Sequence, residues 1–291
     1  MADSITELPW LLPRNDVVFK GIFGQHADIL QQFLQHVLQL CAKELRNLKY
    51  IDTHQRLDPD SKLTILDLKL ETATGKRINV EMQLLLLASM IERILYYLAQ
   101  MLVEQLKAGQ KYSNLTRVIS VLIVNEEMFP QDTLAQHRFR FVDKNANMEL
   151  TDLMEVNVLE LPKARKKATI ESPLDVWLKF LAADRKEEFM QLAQQDPGVH
   201  AACRVLKELS ADEQTRLEAA MREKAWRDEM DRMEGAMEQG LKKGRAEGRA
   251  EGRAERDREH IKNMFADGLA PELIAKYLHM DLNTVQGLLL S

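Results

Sequence analysis

Residues 62–83, K-L-T-I-L-D-L-K-L-E-T-A-T-G-K-R-I-N-V-E-M-Q, decide the fold of this chain. From Lys62 to Glu71 apolar and polar residues alternate, with Leu66, Leu68 and Leu70 on one side and Asp67, Lys69 and Glu71 on the other. A period of two marks a strand with one buried face. The polar segment T-A-T-G-K-R, with Gly75 available for a turn, leads to Ile78–Gln83, where alternation resumes with Val80 and Met82 apolar. The two runs predict a β-hairpin. With the Leu and Val faces packed on the core, Asp67, Lys69, Glu71, Asn79, Glu81 and Gln83 emerge together on the other face.

Working outward, Ile29, Leu30, Phe33, Leu34, Val37, Leu38 and Cys41 recur at helical spacing and predict an amphipathic helix over roughly 26–44. Leu84–Lys107 is largely apolar and predicts a long helix stopping at Gly109. Val118–Val124 is largely β-branched and nearly continuously apolar, as a strand buried on both faces requires. Further strands are expected over Arg138–Val142 and Glu149–Leu161. Helix, hairpin, helix and buried strand in that order predict an α/β sandwich with a mixed sheet over residues 1–165.

Beyond Pro162 the K-A-R-K-K run at 163–167 predicts a linker or an exposed edge, and a helical region at 170–210 holds helices over 173–183, 185–195 and 199–209. A long helix over 211–262 carries G-R-A-E three times in tandem from Gly244, and short helices form a tail over 263–291. Each glycine costs a helix interior about 1 kcal/mol relative to alanine. The repeat is therefore a solvated spacer or the close face of a partner helix. In the tail, Leu269, Ile274, Leu278, Val285 and Leu288 are spaced for a small core resembling a helix-turn-helix. Residues 265–291 hold three acids against Lys276 alone, whereas a DNA reader needs cations for phosphate contacts. Packing or homo-oligomer formation through these helices is the expected role. Residues 242–262, eight bases against five acids, offer a locally basic stretch for DNA.

The chain has 291 residues, 45% of them hydrophobic, and a net charge of -5, which excludes wholesale disorder and a uniformly basic nucleic-acid coat. Two cysteines, Cys41 and Cys203, are too few for a disulfide framework or a Cys-rich zinc module. The seven histidines show no ligand spacing. No secretory signal is evident at the start, and the longest apolar run, Leu84–Ile91, is far short of the roughly 20 residues that span a bilayer. The expectation is a soluble, cytoplasmic protein without a membrane segment.

The hairpin face is where chemistry is expected. Two carboxylates, Asp67 and Glu81, close together suit a hard divalent cation, which takes carboxylate oxygens, waters and substrate phosphate oxygens. Such a cation polarises a phosphodiester and lowers the pKa of an attacking water. A lysine on that face would orient the water or neutralise charge building on phosphate. The competing reading is the wet face of a half-exposed hairpin. The apolar helix after Gln83 argues against it, because a helix covering this side leaves buried acids with little purpose except a site.

These residues also carry a family resemblance. D-x-x-F-K-x-I-F-G at 16–24, K-L-T-I-L-D-L-K at 62–69, I-N-V-E-M-Q at 78–83, R-x-L-Y-Y at 93–97 and G-x-x-Y at 109–112 resemble the recombination-promoting nuclease and transposase family of the PD-(D/E)xK superfamily. The resemblance covers about residues 15–165 and extends to the Gly-Ala-Glu repeats. It implies a restriction-endonuclease-like αβββαβ core followed by an all-helical C-terminal region. It further implies a DNA endonuclease using Mg²⁺ or Mn²⁺ and linked to recombination. Residue by residue, Asp67 matches the first metal-binding acid and Glu81 the second, and the carbonyl of Met82 is a further metal ligand. Gln83 stands where the family usually has lysine, and an amide is neither a cation nor a base. No proline precedes Asp67. Lys69, two residues from Asp67 on the same face, is the candidate substitute ammonium; otherwise Gln83 positions water and the metal does the rest. Asp16 and Lys20, four apart, suit a local ion pair or the edge of the site. Arg93 suits a phosphate contact or a carboxylate partner. The rival to an endonuclease is a binding or assembly module that keeps the fold without catalysis, and Gln83 is the residue that favours it.

Overall fold

A computed structural model describes residues 9–51, 54–55, 64–65, 68–85 and 88–290, with the backbone alone at 54–55 and 64–65. Helix α1 (Asp16–Phe23) is capped by Asn15, whose side-chain oxygen accepts from the Val17 amide. Helix α2 (Ala27–Leu38) stops earlier than the spacing alone predicts, because Gln39 adopts a left-handed conformation, φ 55°, and turns the chain. Strands β1 (Lys49–Tyr50), β2 (His54–Gln55), β3 (Thr64–Ile65), β4 (Leu68–Glu71) and β5 (Arg77–Gln83) follow. Next come α3 (Met90–Val103), β6 (Val118–Val124), β7 (Gln136–Asp143) and β8 (Met148–Glu160). The chain then continues through α4 (Leu161–Lys166), α5 (Pro173–Ala182), α6 (Lys186–Ala193), α7 (Pro197–Ala211), α8 (Glu213–Ala266), α9 (Pro271–Leu278) and α10 (Leu282–Leu290).

Six strands form a mixed sheet in the order β1-β4-β5-β6-β8-β7, with β5, β6 and β8 mutually parallel and the other pairs antiparallel. The β4–β5 hairpin pairs Lys69 with Asn79 and Leu68 with Val80. The strand expected over 62–71 departs from prediction. Its described parts belong to two sheets, β3 pairing with β2 in a small one and β4 with β1 and β5 in the large one. The helix expected from Leu84 begins only at Met90, after Ser89 at the N-cap position, whose side chain makes no capping hydrogen bond. It ends at Val103, and Gly109, φ 85°, turns the chain beyond it.

One face of the sheet, carrying Leu70, Ile78, Val80, Ile119, Val121, Ile123 and Leu159, packs on α1, α2, α5 and α7. An aromatic cluster fills the layer between: ring centroids lie 5.4 Å apart for Phe23–Phe33 and 5.6 Å for Phe33–Trp177. The helices expected over 170–210 thus bury their apolar sides in this same core. The opposite face, with Val118, Leu122, Val124 and Val158, lies under Met90, Ile94, Leu98 and Met101 of α3. The basic run at 163–167 is no linker: most of it forms α4, and Lys163 is buried. Its ammonium stays inside because Glu160 and Asp132 neutralise it.

The chain divides into two compact units, up to Ala225 and from Trp226 onward. In the second, Ile261, Ile274, Ala275 and Val285 form a small core with Leu269, Leu278 and Leu288 packed around it. No helix among the described residues is long and apolar enough to cross a membrane.

Gly198, near the start of α7, sets how closely that helix approaches α5. A Cβ there would lie 2.6 Å from Trp177 Cζ2 and 2.7 Å from Gln32 Oε1. Trp177 is fully buried and has nowhere to retreat. Gly198→Ala should therefore lower unfolding free energy by about 1–3 kcal/mol in urea titrations, despite the better helix propensity of alanine.

Candidate active site on the β4–β5 hairpin

The polar face of the hairpin is not wet. Lys69 and Asn79 are cross-strand partners, and Asn79, Glu81 and Gln83 follow one another along one face of β5. Lys69 is 3% exposed, Asn79 1% and Glu81 3%. Helix α3 and the residues after it lie over this face: Arg77 Nη1 donates to the Met101 carbonyl at 3.2 Å, and Lys69 Nζ to Glu104 Oε2 at 2.7 Å. The competing reading of a solvated face does not hold, and the apolar run after Gln83 covers this side as expected, because α3 is apolar along it and must be buried somewhere.

Glu81 sits in the middle of this covered strip. Asn79 Nδ2 donates to its Oε1 at 3.0 Å, and Arg93 Nη2, reaching down from α3, lies 3.4 Å from Oε2. Arg93 also stands 6.0 Å from the centre of the Tyr97 ring. Burial pushes the Tyr97 hydroxyl above its ordinary pKa, Arg93 pulls the other way, and the charge of Glu81 adds to the rise. The Arg93 Nε and Asn79 Oδ1 atoms are buried without a hydrogen-bond partner among the described residues. Lys69 shares Glu104 with Arg77, whose Nη1 is 3.5 Å away, and Arg77 Nε in turn lies 3.6 Å from Glu71. Met82 turns its side chain to the opposite, apolar face. Gln83, half-buried, ends the strand and accepts from the Asn125 amide through its carbonyl. Asp67 lies outside the described residues. The structure thus gathers Lys69, Asn79, Glu81, Gln83 and Arg93 on one side of the hairpin.

Of the other residues singled out by sequence, Asp16 pairs with Arg222 of α8 at 3.3 Å, and Lys20 is half-buried one turn further along α1. A second buried polar cluster was not anticipated. Glu155 on β8, 1% exposed, is bonded by Arg117, by Arg140 and by Asn157 Nδ2 at 2.7 Å. Burial pushes its pKa up, but the bonds from Asn157 and Arg140 and the charge of Arg117 together hold it below the usual value. Farther along β8, Glu160 accepts from the Met128 and Phe129 amides at 2.7 and 3.1 Å and from Lys163 at 2.9 Å. His137 bridges towards it, with Nδ1 3.2 Å from Glu160 and Nε2 2.9 Å from Asp132. The signal was available in E-V-N-V-L-E at 155–160, polar residues inside a run that pairs with the largely apolar β6. Among the described residues, no group of three or more His, Cys, Asp or Glu is placed to hold a metal ion.

The model of the PD-(D/E)XK nuclease family transposases matches residues 13–236. The chain belongs to this family. No curated protein and no solved structure matches it. The family match covers the whole six-stranded sheet and runs on through α5–α7 into α8, so the family unit includes the helices that share the sheet's core. PD-(D/E)XK nucleases generally use divalent metals. The donors on this hairpin suit a hard cation, since Glu81 offers a carboxylate and the strand offers main-chain carbonyls, with no soft ligand among the described residues of that strip.

The cluster around Asp132 gives a pH signature. Hydrogen bonds from His137 and Lys163 hold the Asp132 carboxyl at about 2, below its ordinary 3.8. A depressed carboxyl stabilises the fold above its unfolded pKa and loses that contribution as pH falls through the folded one. Asp132→Asn should therefore lower the urea midpoint near neutral pH, and the gap to wild type should close as pH falls from about 4 to about 2.

Proposed function

We propose that this chain is a metal-dependent DNA endonuclease of the cytoplasm, cleaving phosphodiester bonds in the service of recombination. The observation that carries this reading is the buried carboxylate of Glu81, held from both sides by Asn79 and Arg93 in a strip that α3 covers. A carboxylate removed from water is costly unless it is partnered, and here the partners hold both oxygens in place. The choice of a second acid rests on the family resemblance, in which Asp67 of K-L-T-I-L-D-L-K matches the first metal-binding acid.

In this proposal Asp67, Glu81 and the Met82 carbonyl hold Mg²⁺ or Mn²⁺. The bound ion would polarise the phosphodiester and lower the pKa of the attacking water. Arg93 holds the Glu81 carboxylate in position. The Gln83 amide, at the end of β5, hydrogen-bonds water or a phosphate oxygen but removes no proton. Lys69 supplies positive charge on this face while remaining bonded to Glu104. A second reading, a binding or assembly module on the same fold, is favoured by that Lys69–Glu104 bond together with the uncharged Gln83.

Purified wild-type chain should nick supercoiled plasmid in Mg²⁺ or Mn²⁺ and lose activity in chelator. Asp67→Ala and Glu81→Gln should each reduce the rate by on the order of 100-fold or more. Equal cleavage by wild type and Asp67→Ala would overturn the site. Absence of cleavage together with no Glu81-dependent metal heat in calorimetry would establish the non-catalytic module instead.

A further inference from the structure

From residue 236 to 260 every position of α8 is exposed, and a Cβ built on Gly240, Gly244 or Gly248 meets nothing within 4 Å. The backbone does not demand glycine there, because the only glycines with positive φ among the described residues are Gly75, Gly109 and Gly268. Each of the helix glycines costs about 1 kcal/mol relative to alanine, with no compensation from contacts of the described residues. At 3.6 residues per turn, Met230, Met233, Met237, Gly240, Gly244 and Gly248 fall in one stripe about 80° wide. Met233 and Met237 are 40% and 77% exposed, large thioethers in water on an otherwise charged helix.

Charge is segregated along the same segment. Residues 226–241 hold five acids against two arginines, whereas 242–262 hold eight bases against five acids. We propose that this stripe is the interface of an antiparallel pair of α8 helices from two copies of this chain. Parallel pairing would set acidic half against acidic half and basic against basic. Antiparallel pairing about Met237 sets residues 226–232, three acids and two arginines, against the partner's 242–248, three bases and one acid. With the two-fold axis at Met237, Met230 of one copy faces Gly244 of the other, Met233 faces Leu241, and Glu229 flanks the seam beside the partner's Arg245. Methionine fills irregular space readily, and the bare glycines let the two backbones approach closely. The contact is isologous and closes at two copies. It stands whether or not the hairpin is catalytic.

Single cysteines in the full chain test both association and direction. Cys41, exposed, is first changed to serine, while buried Cys203 is left in place. Met237→Cys should cross-link to itself under mild oxidation. Met230→Cys alone should not, because its two copies would lie about 21 Å apart along the axis. Met230→Cys mixed with Gly244→Cys should cross-link. Light scattering should give a dimer that dissociates as salt is raised. Alanine at Gly240, Gly244 and Gly248 together, which would stabilise a solitary helix, should instead weaken the dimer by about 10-fold. A monomer at all micromolar concentrations overturns the proposal, and so does nucleic-acid binding by the basic half without self-association. Self-cross-linking of Met230→Cys as readily as Met237→Cys overturns the antiparallel direction, and tighter association of the triple alanine variant overturns the role of the glycines.

Discussion

Charge inside a covered sheet face is the constraint on which this structure turns. Lys69, Asn79 and Glu81 lie under α3, where an unpartnered ion is prohibitively costly. Each charge therefore dictates a neighbour: Glu104 for Lys69 and Arg77, Arg93 for Glu81. Those partners sit on α3 or just beyond its end, so the electrostatics of the hairpin set where the helix lies, and its apolar residues over Leu122, Val124 and Val158 complete the seat. A strip built this way is held in place by its own partners, the preorganisation that the proposed site would need.

The other face supplies the stiffness behind it. Helices α1, α2, α5 and α7 converge on the aromatic cluster around Trp177, and the sheet packs against them through Ile78, Val80 and Val121. Strand β5 thus carries the core on one side and Glu81 on the other, separated by a single pleat. A shift of one residue in its register would exchange the two faces, and the paired ladders with β4 and β6 prevent that. At the far edge the Glu155 and Glu160 clusters do comparable work, tying β7, β8 and α4 together with buried ion pairs rather than apolar contacts alone.

Much of this was legible from local pattern. Alternation over 62–71 and 78–83 located the hairpin whose strands are Leu68–Glu71 and Arg77–Gln83, the largely apolar run at 118–124 located a strand buried on both sides, and the motif order pointed to the nuclease family that the chain belongs to. What misled was context. Lys163–Lys167 looks like exposed linker because a lysine is ordinarily in water, yet Glu160 and Asp132, one of them some thirty residues away in the chain, bring Lys163 inside. The polar side of the hairpin has the alternation of a solvated face, but the apolar run after Gln83 pointed to a cover, and α3 supplies it.

Periodicity is a local property, and so the residues themselves determined the strand and helix character, the face on which Glu81, Gln83 and Lys69 project, and the stripe of methionine and glycine along α8. Which face is covered, and which ion meets which, depends on elements distant in sequence. The folded chain alone decided that Glu81 is buried between Asn79 and Arg93 and that Lys69 is bonded to Glu104, because desolvation and pairing are consequences of packing and have no signature in spacing.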